Sequence, residues 1–289
     1  MKLINFKKAG QNTLGVWTSR GVIDVAAFSA RGVPNTMMEA LALGREGAIR
    51  ALSPLIGRAD SFLDPDAIEY APAVDAPEKI LCVGKNCAAH AAEVPELFKV
   101  NGGSPEIFAK FRNTLVGHGG TVKLNPHSKK HDYEAEIALV IGRRASNVSV
   151  DEALDYVFGY TLANDISARD LQKAASQWTP GKTCDTFCPL GPCVLTADEV
   201  EYDKLRVTGY KNGELRQDGR SSDMIFSIPY IVSFLSGCCT LEPGDLILTG
   251  TPAGVIFGRP QGQQDWLKAG DTLAVRVDEI GTLRVTVEE

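Results

Sequence analysis

Two glutamates separated by one residue, Glu134 and Glu136, are the side chains in this sequence best spaced to do chemistry together. They lie in the segment from Tyr133 to Gly142, whose composition and length predict a β-strand that ends at a glycine. Alternate side chains of a strand leave the same face, so the two carboxylates should project side by side. Adjacent carboxylates repel each other, and where water is scarce they need a cation. A half-exposed strand with an acidic outer face has the same spacing, so the pattern alone leaves that alternative open.

A third carboxylate, Asp165, follows in the segment from Ala163 to Ser167. With Glu134 and Glu136 it forms a set of oxygen donors that has no histidine or cysteine close to it in the sequence. Hard oxygen donors suit Mg²⁺ or Mn²⁺ better than Zn²⁺. We therefore expect these carboxylates to hold one such ion if the fold brings them together.

A histidine and a glutamate three residues apart, His90 and Glu93, provide a second candidate for chemistry. Asn86 is a plausible N-cap for a short alanine-rich helix, and Pro95 should end it. Residues at i and i+3 share one helix face, so a carboxylate could hold one imidazole nitrogen and leave the other as a general base. Such pairs are also ordinary on helix surfaces, and an incidental pair is the simpler explanation of these two residues alone.

Lys182 lies in a loop rich in glycine and proline that runs from Gln177 to Pro192. A lysine held near a metal could bind a substrate carboxylate or a developing enolate, although a surface lysine would look the same. A phosphate-binding loop is excluded because Ser176 stands where that motif requires glycine. Thr251, in the turn after a predicted strand, could bind an anion, and an ordinary strand-end turn explains it equally well.

Size and charge restrict the class of protein. The chain has 289 residues and a formal net charge of −6, which argues against nucleic acid or an anionic membrane as its main partner. Its seven cysteines show no metal or redox spacing, so reduced thiols in a cytoplasmic protein are the simplest account. The first residues lack the apolar core of a signal peptide, and we expect a soluble protein.

Turn residues and periodicity divide the chain near residue 72. Residues 1–72 should form a small N-terminal unit, with strands at 2–7, 13–18 and 21–26 and a helix at 36–55. Residues 73–289 should form the catalytic domain, with helical patterns only near 150–157 and 229–235. Its predicted strands lie at 79–83, 134–141, 157–164, 190–195, 205–211, 245–249 and 272–277. So few helices exclude a doubly wound sheet and predict a mixed, predominantly β domain.

The ordered set of these segments resembles the fumarylacetoacetate hydrolase family from about Lys79 to Val287. The matching strings are Val83-Gly84-Lys85-Asn86 with His90 and Glu93, Asp132-Tyr133-Glu134-Ala135-Glu136, Asn164-Asp165-Ile166-Ser167-Ala168-Arg169-Asp170, the loop from Gly181 to Pro192, Met224-Ile225-Phe226, and Leu248-Thr249-Gly250-Thr251-Pro252. Any one string is weak evidence, whereas their order along the chain is specific.

This resemblance implies an α+β, predominantly β fold: a mixed β-roll catalytic domain with a small N-terminal α/β domain, usually in a homodimer. It implies that Glu134, Glu136 and Asp165 bind Mg²⁺ or Mn²⁺. His90 and Glu93 would be the water-activating dyad, carried on a short lid helix. The resemblance further implies that the side chains facing the 2-oxo-acid end of the substrate are Arg169, Gln177 and Lys182, with Thr251 at its carboxylate.

Two departures from the family pattern fall near the expected rim of the substrate site. Cys87 stands where an aromatic residue is common, and Phe111 replaces the proline of a common Phe-x-Lys-Pro string while Lys110 is retained. Neither change touches the expected metal ligands. Both leave the identity of the substrate open.

The function expected from the resemblance is metal-dependent hydrolysis of a C–C bond in a β-diketo acid such as an acylpyruvate or fumarylpyruvate. His90, oriented by Glu93, would take a proton from water, and Lys182 would stabilise the pyruvate enolate that leaves. The alternative is an oxaloacetate-type decarboxylase or a 2-hydroxy-diene-dioate isomerase, either of which would use the same metal–enolate chemistry. A carboxylate-binding protein without turnover is the third hypothesis.

Overall fold

The computed structural model describes residues 1–28, 32–93 and 103–289. Pro95, expected to end a helix, lies outside these ranges. The described strands are β1 (Lys2–Lys8), β2 (Gln11–Thr18), β3 (Gly21–Asp24), β4 (Glu69–Tyr70), β5 (Ile80–Gly84), β6 (Glu106–Lys110), β7 (Leu115–Val116), β8 (Thr121–Lys123), β9 (His131–Asp132), β10 (Ala135–Ile141), β11 (Val157–Asn164), β12 (Ser167–Ala168), β13 (Cys188–Thr196), β14 (Arg206–Lys211), β15 (Glu214–Arg220), β16 (Leu246–Leu248), β17 (Thr272–Val277) and β18 (Gly281–Glu288). The described α-helices are α1 (Met37–Ala42), α2 (Gly44–Arg58), α3 (Ala88–Glu93), α4 (Arg169–Lys173), α5 (Thr179–Lys182) and α6 (Ile228–Cys238).

Two sheets of the described residues build the fold. The larger runs β3-β2-β1-β13-β11-β10-β16-β5-β6, with β4 beside β1 and β7 beside β13. It is mixed, because β16 and β5 are parallel whereas β10 and β11 are antiparallel. The smaller sheet runs β15-β14-β17-β18-β8, and a short ribbon pairs β12 with β9. The predominantly β fold expected from the sequence is confirmed.

The central strands β10 and β11 are buried along their whole length. In β10, Ile137, Leu139 and Ile141 pack into one apolar cluster, and the intervening Ala138 and Val140 pack into another. A strand that supports a core on each face has no solvent-exposed side. The alternative of an acidic, half-exposed outer face is therefore excluded for this strand.

Residues 1–72 share the larger sheet with the rest of the chain. Strand β1 pairs antiparallel with β13, so that Leu3 lies opposite Val194, and Met1 accepts a backbone hydrogen bond from Thr196 at 2.9 Å. Hydrogen bonds of the sheet thus join residues on the two sides of position 72. The domain boundary predicted there stays a prediction. The apolar clusters also include residues from both sides of it.

Two predicted helices differ from the structure. The helix expected at 36–55 is two helices, α1 and α2, because Gly44 has a φ of +69° that a right-handed helix does not continue through. A capping box between Thr36 and Glu39 fixes the start of α1. The helical pattern near 150–157 is only a 3₁₀ turn at Ala153–Tyr156. None of the helices in the described ranges has the length and hydropathy needed to cross a membrane.

Candidate metal centre and active site

The ends of β10 and β11 bring the predicted carboxylates together. Ala135 lies opposite Asn164 in this antiparallel pair, and the Asp165 backbone N–H donates to the Glu134 carbonyl at 2.8 Å. One carboxylate oxygen each from Glu134, Glu136 and Asp165 lie within 4.8 Å of one another, and these side chains are buried. The strand register therefore produces the cluster that the spacing predicted.

Buried cations surround these carboxylates. Lys182 Nζ donates to Glu134 Oε2 at 2.5 Å and to Asp165 Oδ2 at 2.7 Å. Lys110 Nζ donates to the other oxygen of Asp165 at 2.5 Å, and Arg169 donates to Glu134 Oε1 at 2.7 Å. Burying charge is costly unless it is paired, so these ion pairs let the cluster exist inside the protein.

The pKa values of Glu134 and Glu136 shift in opposite directions. Burial would raise the pKa of Glu134, but the charges of Arg169 and Lys182 outweigh it and hold that pKa below its ordinary value. Burial and the neighbouring Asp165 and Glu134 charges raise the pKa of Glu136 well above its ordinary value, despite a backbone hydrogen bond from Gly250. A carboxylate in this position is stabilised as an anion by a divalent ion. The oxygen-only donor set fits Mg²⁺ or Mn²⁺.

Close packing of two short helices positions Lys182. Helix α4 begins at Arg169 and α5 ends at Lys182, and Gly181 lies where they meet. A Cβ on Gly181 would stand 2.5 Å from the Gln172 nitrogen and 2.6 Å from the Ala168 oxygen. Only glycine permits α5 to pack this closely against α4. This packing places the Lys182 ammonium beside the carboxylates.

Helix α3 holds the predicted His90–Glu93 pair. His90 Nδ1 lies 3.3 Å from Glu93 Oε2, and His90 is buried. The Gly254 N–H contacts both oxygens of Glu93, at 3.0 and 3.1 Å. Asn86 does not cap this helix: α3 begins at Ala88, and the Asn86 amide instead joins the ends of two chain segments by bonding Phe226 and the Thr249 carbonyl.

The loop from Gly254 to Gly258 forms the seat of the Glu93 carboxylate. Gly254 has a φ of +109°, and a Cβ there would stand 1.9 Å from the Arg216 oxygen. A Cβ on Gly258 would stand 2.2 Å from Glu93 Cδ. Gly254 must therefore lack a side chain for the loop to pack against Arg216, and Gly258 must lack one for Glu93 to keep this position beside His90 and the loop.

Gly258→Ala is expected to lower kcat about 10²-fold, because displacing Glu93 by about an ångström misplaces His90. The fold and the affinity for Mn²⁺ should stay unchanged, since the metal-ligand carboxylates lie elsewhere. Steady-state kinetics and calorimetric Mn²⁺ titration measure the two effects. Gly237→Ala is the control, because a Cβ there meets nothing within 4 Å. Unchanged kcat in Gly258→Ala would contradict the role given to this seat.

A cavity opens onto the carboxylates and the histidine. Its volume is about 30 Å³. The side chains that line it include His90, Glu134, Glu136, Lys182, Arg169, Gln172 and Thr251, with Lys85, Phe108 and Trp178 completing the wall.

Two of the three residues expected to bind the substrate, Arg169 and Thr251, line the cavity, and the third, Gln177, does not. Thr251 lines the cavity, and its hydroxyl donates to the Ala135 carbonyl at 3.0 Å and accepts from Gln217 at 2.7 Å. Arg169 also lines it, and its guanidinium bonds Asp132 and Glu134. Gln177 is exposed and is not part of the cavity wall, where Gln172 stands instead. The substrate roles of Arg169, Gln177 and Thr251 stay predictions.

Sequence reasoning gave no role to two buried charged residues of this site, Lys110 and Asp132. Asp132 accepts hydrogen bonds from Arg169 Nε at 2.9 Å and from the Ile256 and Phe257 backbone at 2.8 and 3.0 Å. It therefore joins the arginine to the loop that seats Glu93. The position of Asp132, two residues before Glu134, could have indicated that it belongs to the site. No such signal exists for Lys110, which lies 55 residues from its partner Asp165.

The chain is similar to a known protein family and to several known proteins. Residues 79–288 match the family model described as fumarylacetoacetate (FAA) hydrolase C-terminal. Oxaloacetate tautomerase YisK of Bacillus subtilis (strain 168) is 43% identical over 222 residues, which cover 74% of this chain and 71% of that protein. The mitochondrial oxaloacetate tautomerase fahd2 of Xenopus laevis is 35% identical over 98% of this chain and 89% of its own.

A similar fold is known with a metal ion. The structure of maleylpyruvate hydrolase from Sphingobium sp. SYK-6, in complex with manganese(II) ion and pyruvate, superposes with a TM-score of 0.80 at 26% identity. The match covers 99% of this chain and 98% of the hydrolase. Together with the oxygen donors described above, it identifies Mg²⁺ or Mn²⁺ as the ion of this site.

Proposed function

This chain belongs to the fumarylacetoacetate hydrolase family, and from that premise we propose that it catalyses metal-dependent enol–keto tautomerisation of oxaloacetate or a closely similar small 2-oxo diacid. In that reaction a proton leaves the enol oxygen on C2 and a proton is added at C3, so the atoms balance and no bond between carbons breaks. The names of the Bacillus and Xenopus relatives support this reaction over the hydrolysis expected from the sequence.

The observation that carries the proposal is the buried ammonium of Lys182 in the same cavity as His90. An enolate has negative charge on the C2 oxygen, and a fixed positive charge in a dry site stabilises it strongly. When bound, Mg²⁺ or Mn²⁺ supplies a Lewis acid that stabilises the same charge. Tautomerisation, decarboxylation and C–C hydrolysis all pass through a stabilised enolate. These residues therefore support enolate chemistry as a class and do not distinguish the three reactions.

His90 is the residue we assign to proton transfer. Its Nδ1 faces the Glu93 carboxylate, so Nε2 is the ring nitrogen that would exchange a proton with the ligand. Glu93 in turn is fixed by the Gly254 N–H, which orients the imidazole. Arg169 holds the Glu134 carboxylate in place through its Oε1, while Lys182 bonds its Oε2.

Hydrolysis of an acylpyruvate or fumarylpyruvate remains the second candidate, because the His90–Glu93 pair that could activate water is formed. The similarity to maleylpyruvate hydrolase also favours it. The names of the Bacillus and Xenopus relatives favour the first candidate.

The test follows the ultraviolet absorbance of enol-oxaloacetate in the presence and absence of the protein. We expect its loss to accelerate with Mg²⁺ or Mn²⁺, to return to the spontaneous rate with excess chelator, and to release no pyruvate. A parallel assay measures pyruvate from oxaloacetate, acylpyruvate and fumarylpyruvate.

Other products would replace the proposal with a specific alternative. Pyruvate together with CO₂ from oxaloacetate would identify a decarboxylase. Pyruvate with the matching acid from an acylpyruvate would identify a hydrolase. Metal and oxalate binding without turnover of any 2-oxo acid would support a carboxylate-binding protein.

A further inference from the structure

An aromatic wall connects Lys182 to a second lysine, Lys85, at the outer side of the cavity. Lys182 Nζ lies 4.8 Å from the ring centre of Phe108, and the rings of Phe108 and Trp178 are 5.3 Å apart. Lys85 Nζ lies 5.4 Å from the Trp178 ring centre. Trp178 packs directly on the backbone of Gly84, where a Cβ would stand 2.7 Å from its ring. A ligand in the cavity thus has a positive charge at each end of an apolar wall.

Glu106, a partner of Lys85, is easier to replace than the carboxylates that pair with Lys182 and Arg169. Lys85 Nζ pairs with Glu106 Oε2 at 2.6 Å, and the Glu106 side chain is 44% exposed. Lys182 and Arg169 instead pair with carboxylates that are at most 7% exposed. An ion pair with an exposed carboxylate contributes little free energy, so a ligand carboxylate can take the place of Glu106 at small cost.

The backbone at Lys85 supports a specific task for this side chain. Lys85 has a φ of +60°, a left-handed conformation that favours glycine or asparagine over lysine. Strain of this kind persists where the surrounding structure enforces it, often at ligand sites. Here it turns the chain between β5 and α3, so the lysine side chain lies along the cavity wall.

We propose that Lys85 binds the second carboxylate of the substrate, exchanging Glu106 for it, and thereby makes the site selective for 2-oxo diacids over 2-oxo monoacids. This inference rests on the proposed function for the orientation of the ligand, with its 2-oxo acid end at the metal ligands and Lys182. Phe108 and Trp178 form the side of the site along which the carbon chain lies.

The experiment compares two acids that differ only at C4, oxaloacetate with a carboxylate and 2-oxobutyrate with a methyl group. Calorimetric affinities are measured with Mg²⁺ for the unaltered protein and for Lys85→Met. We expect the unaltered protein to prefer oxaloacetate about tenfold, the effect of one well-placed charged hydrogen bond. Lys85→Met should abolish this preference, and Lys85→Arg should keep most of it.

Lys7→Met is the matched control, because Lys7 also pairs with a glutamate, Glu69, at 2.6 Å but lies on β1, away from the cavity. It should leave both affinities unchanged. Glu106→Gln should tighten oxaloacetate binding a few-fold and leave 2-oxobutyrate binding unchanged, because it removes the negative charge with which the Glu106 carboxylate competes for Lys85.

Equal affinity for the two acids in the unaltered protein, an unaltered preference in Lys85→Met, or no binding of either acid overturns the inference. The readout is binding rather than turnover. A Lys85-dependent preference in a protein that does not tautomerise oxaloacetate would therefore sustain this inference while the proposed function fails.

Discussion

Lys182→Met is expected to lower kcat by about 10²–10³-fold while Mn²⁺ still binds, because a fixed charge on a developing enolate contributes on this scale. Methionine keeps most of the volume of the side chain in its buried position. Removing the ammonium takes a competing cation from Glu134 and Asp165, so the affinity for Mn²⁺ should be equal or higher. Steady-state kinetics with saturating metal measure the fall in kcat, and calorimetric titration measures the affinity for Mn²⁺.

Lys110→Met is the control for the Lys182 variant. Lys110 is equally buried and pairs with the same aspartate, but it is not part of the cavity wall. Its loss should lower the free energy of unfolding with a smaller effect on kcat, because its charge does not face the ligand. Near-normal turnover in Lys182→Met, or loss of Mn²⁺ binding together with turnover, would leave Lys182 with a structural role only.

His90→Ala is expected to lower kcat by about 10²–10⁴-fold, the usual contribution of a general acid or base. The affinities for Mn²⁺ and for oxalate should stay within a few-fold, because His90 is not among the clustered carboxylates. Glu93→Gln should have a smaller effect, since it alters the orientation of the imidazole and leaves the group that transfers the proton.

The exposed His127 provides the control, and His127→Ala should match the unaltered protein in each measurement. Turnover close to normal in His90→Ala would exclude proton transfer by this residue. The reaction would then need another donor, and the orientation of His90 by Glu93 would have no catalytic purpose.

The chemistry of the metal centre could be predicted from the sequence because its spacing is local. Glu134 directly precedes β10 and Glu136 lies in it, and the alternation of extended backbone places both side chains on one face. The partnership of His90 with Glu93 follows in the same way from the helix period. Asp165 was a candidate from its residue type, but its place beside the two glutamates depends on strand register, which no local spacing determines.

Contacts between distant segments could not be predicted from periodicity. Lys110 ends β6 and Asp165 follows β11, and their side chains meet although the two strands are several positions apart in the sheet. The pairing of Leu3 with Val194 likewise joins residues that no local pattern relates. Asn86 has the residue type of a helix cap, and its amide serves tertiary contacts instead, with Phe226 and Thr249. Tertiary structure decided each of these cases over local propensity.

The buried ion pairs of Glu134 and Asp165 determine when the metal is acquired. Lys110, Lys182 and Arg169 already offset the charge of these carboxylates, so the chain can fold completely before any ion arrives. Small zinc domains behave in the opposite way, since metal binding supplies their folding free energy. A divalent ion then binds to a protein that is already folded, and it competes with the lysine and arginine side chains for the carboxylates. Whichever hard divalent ion is free in its surroundings, Mg²⁺ or Mn²⁺, sets which form of the enzyme accumulates.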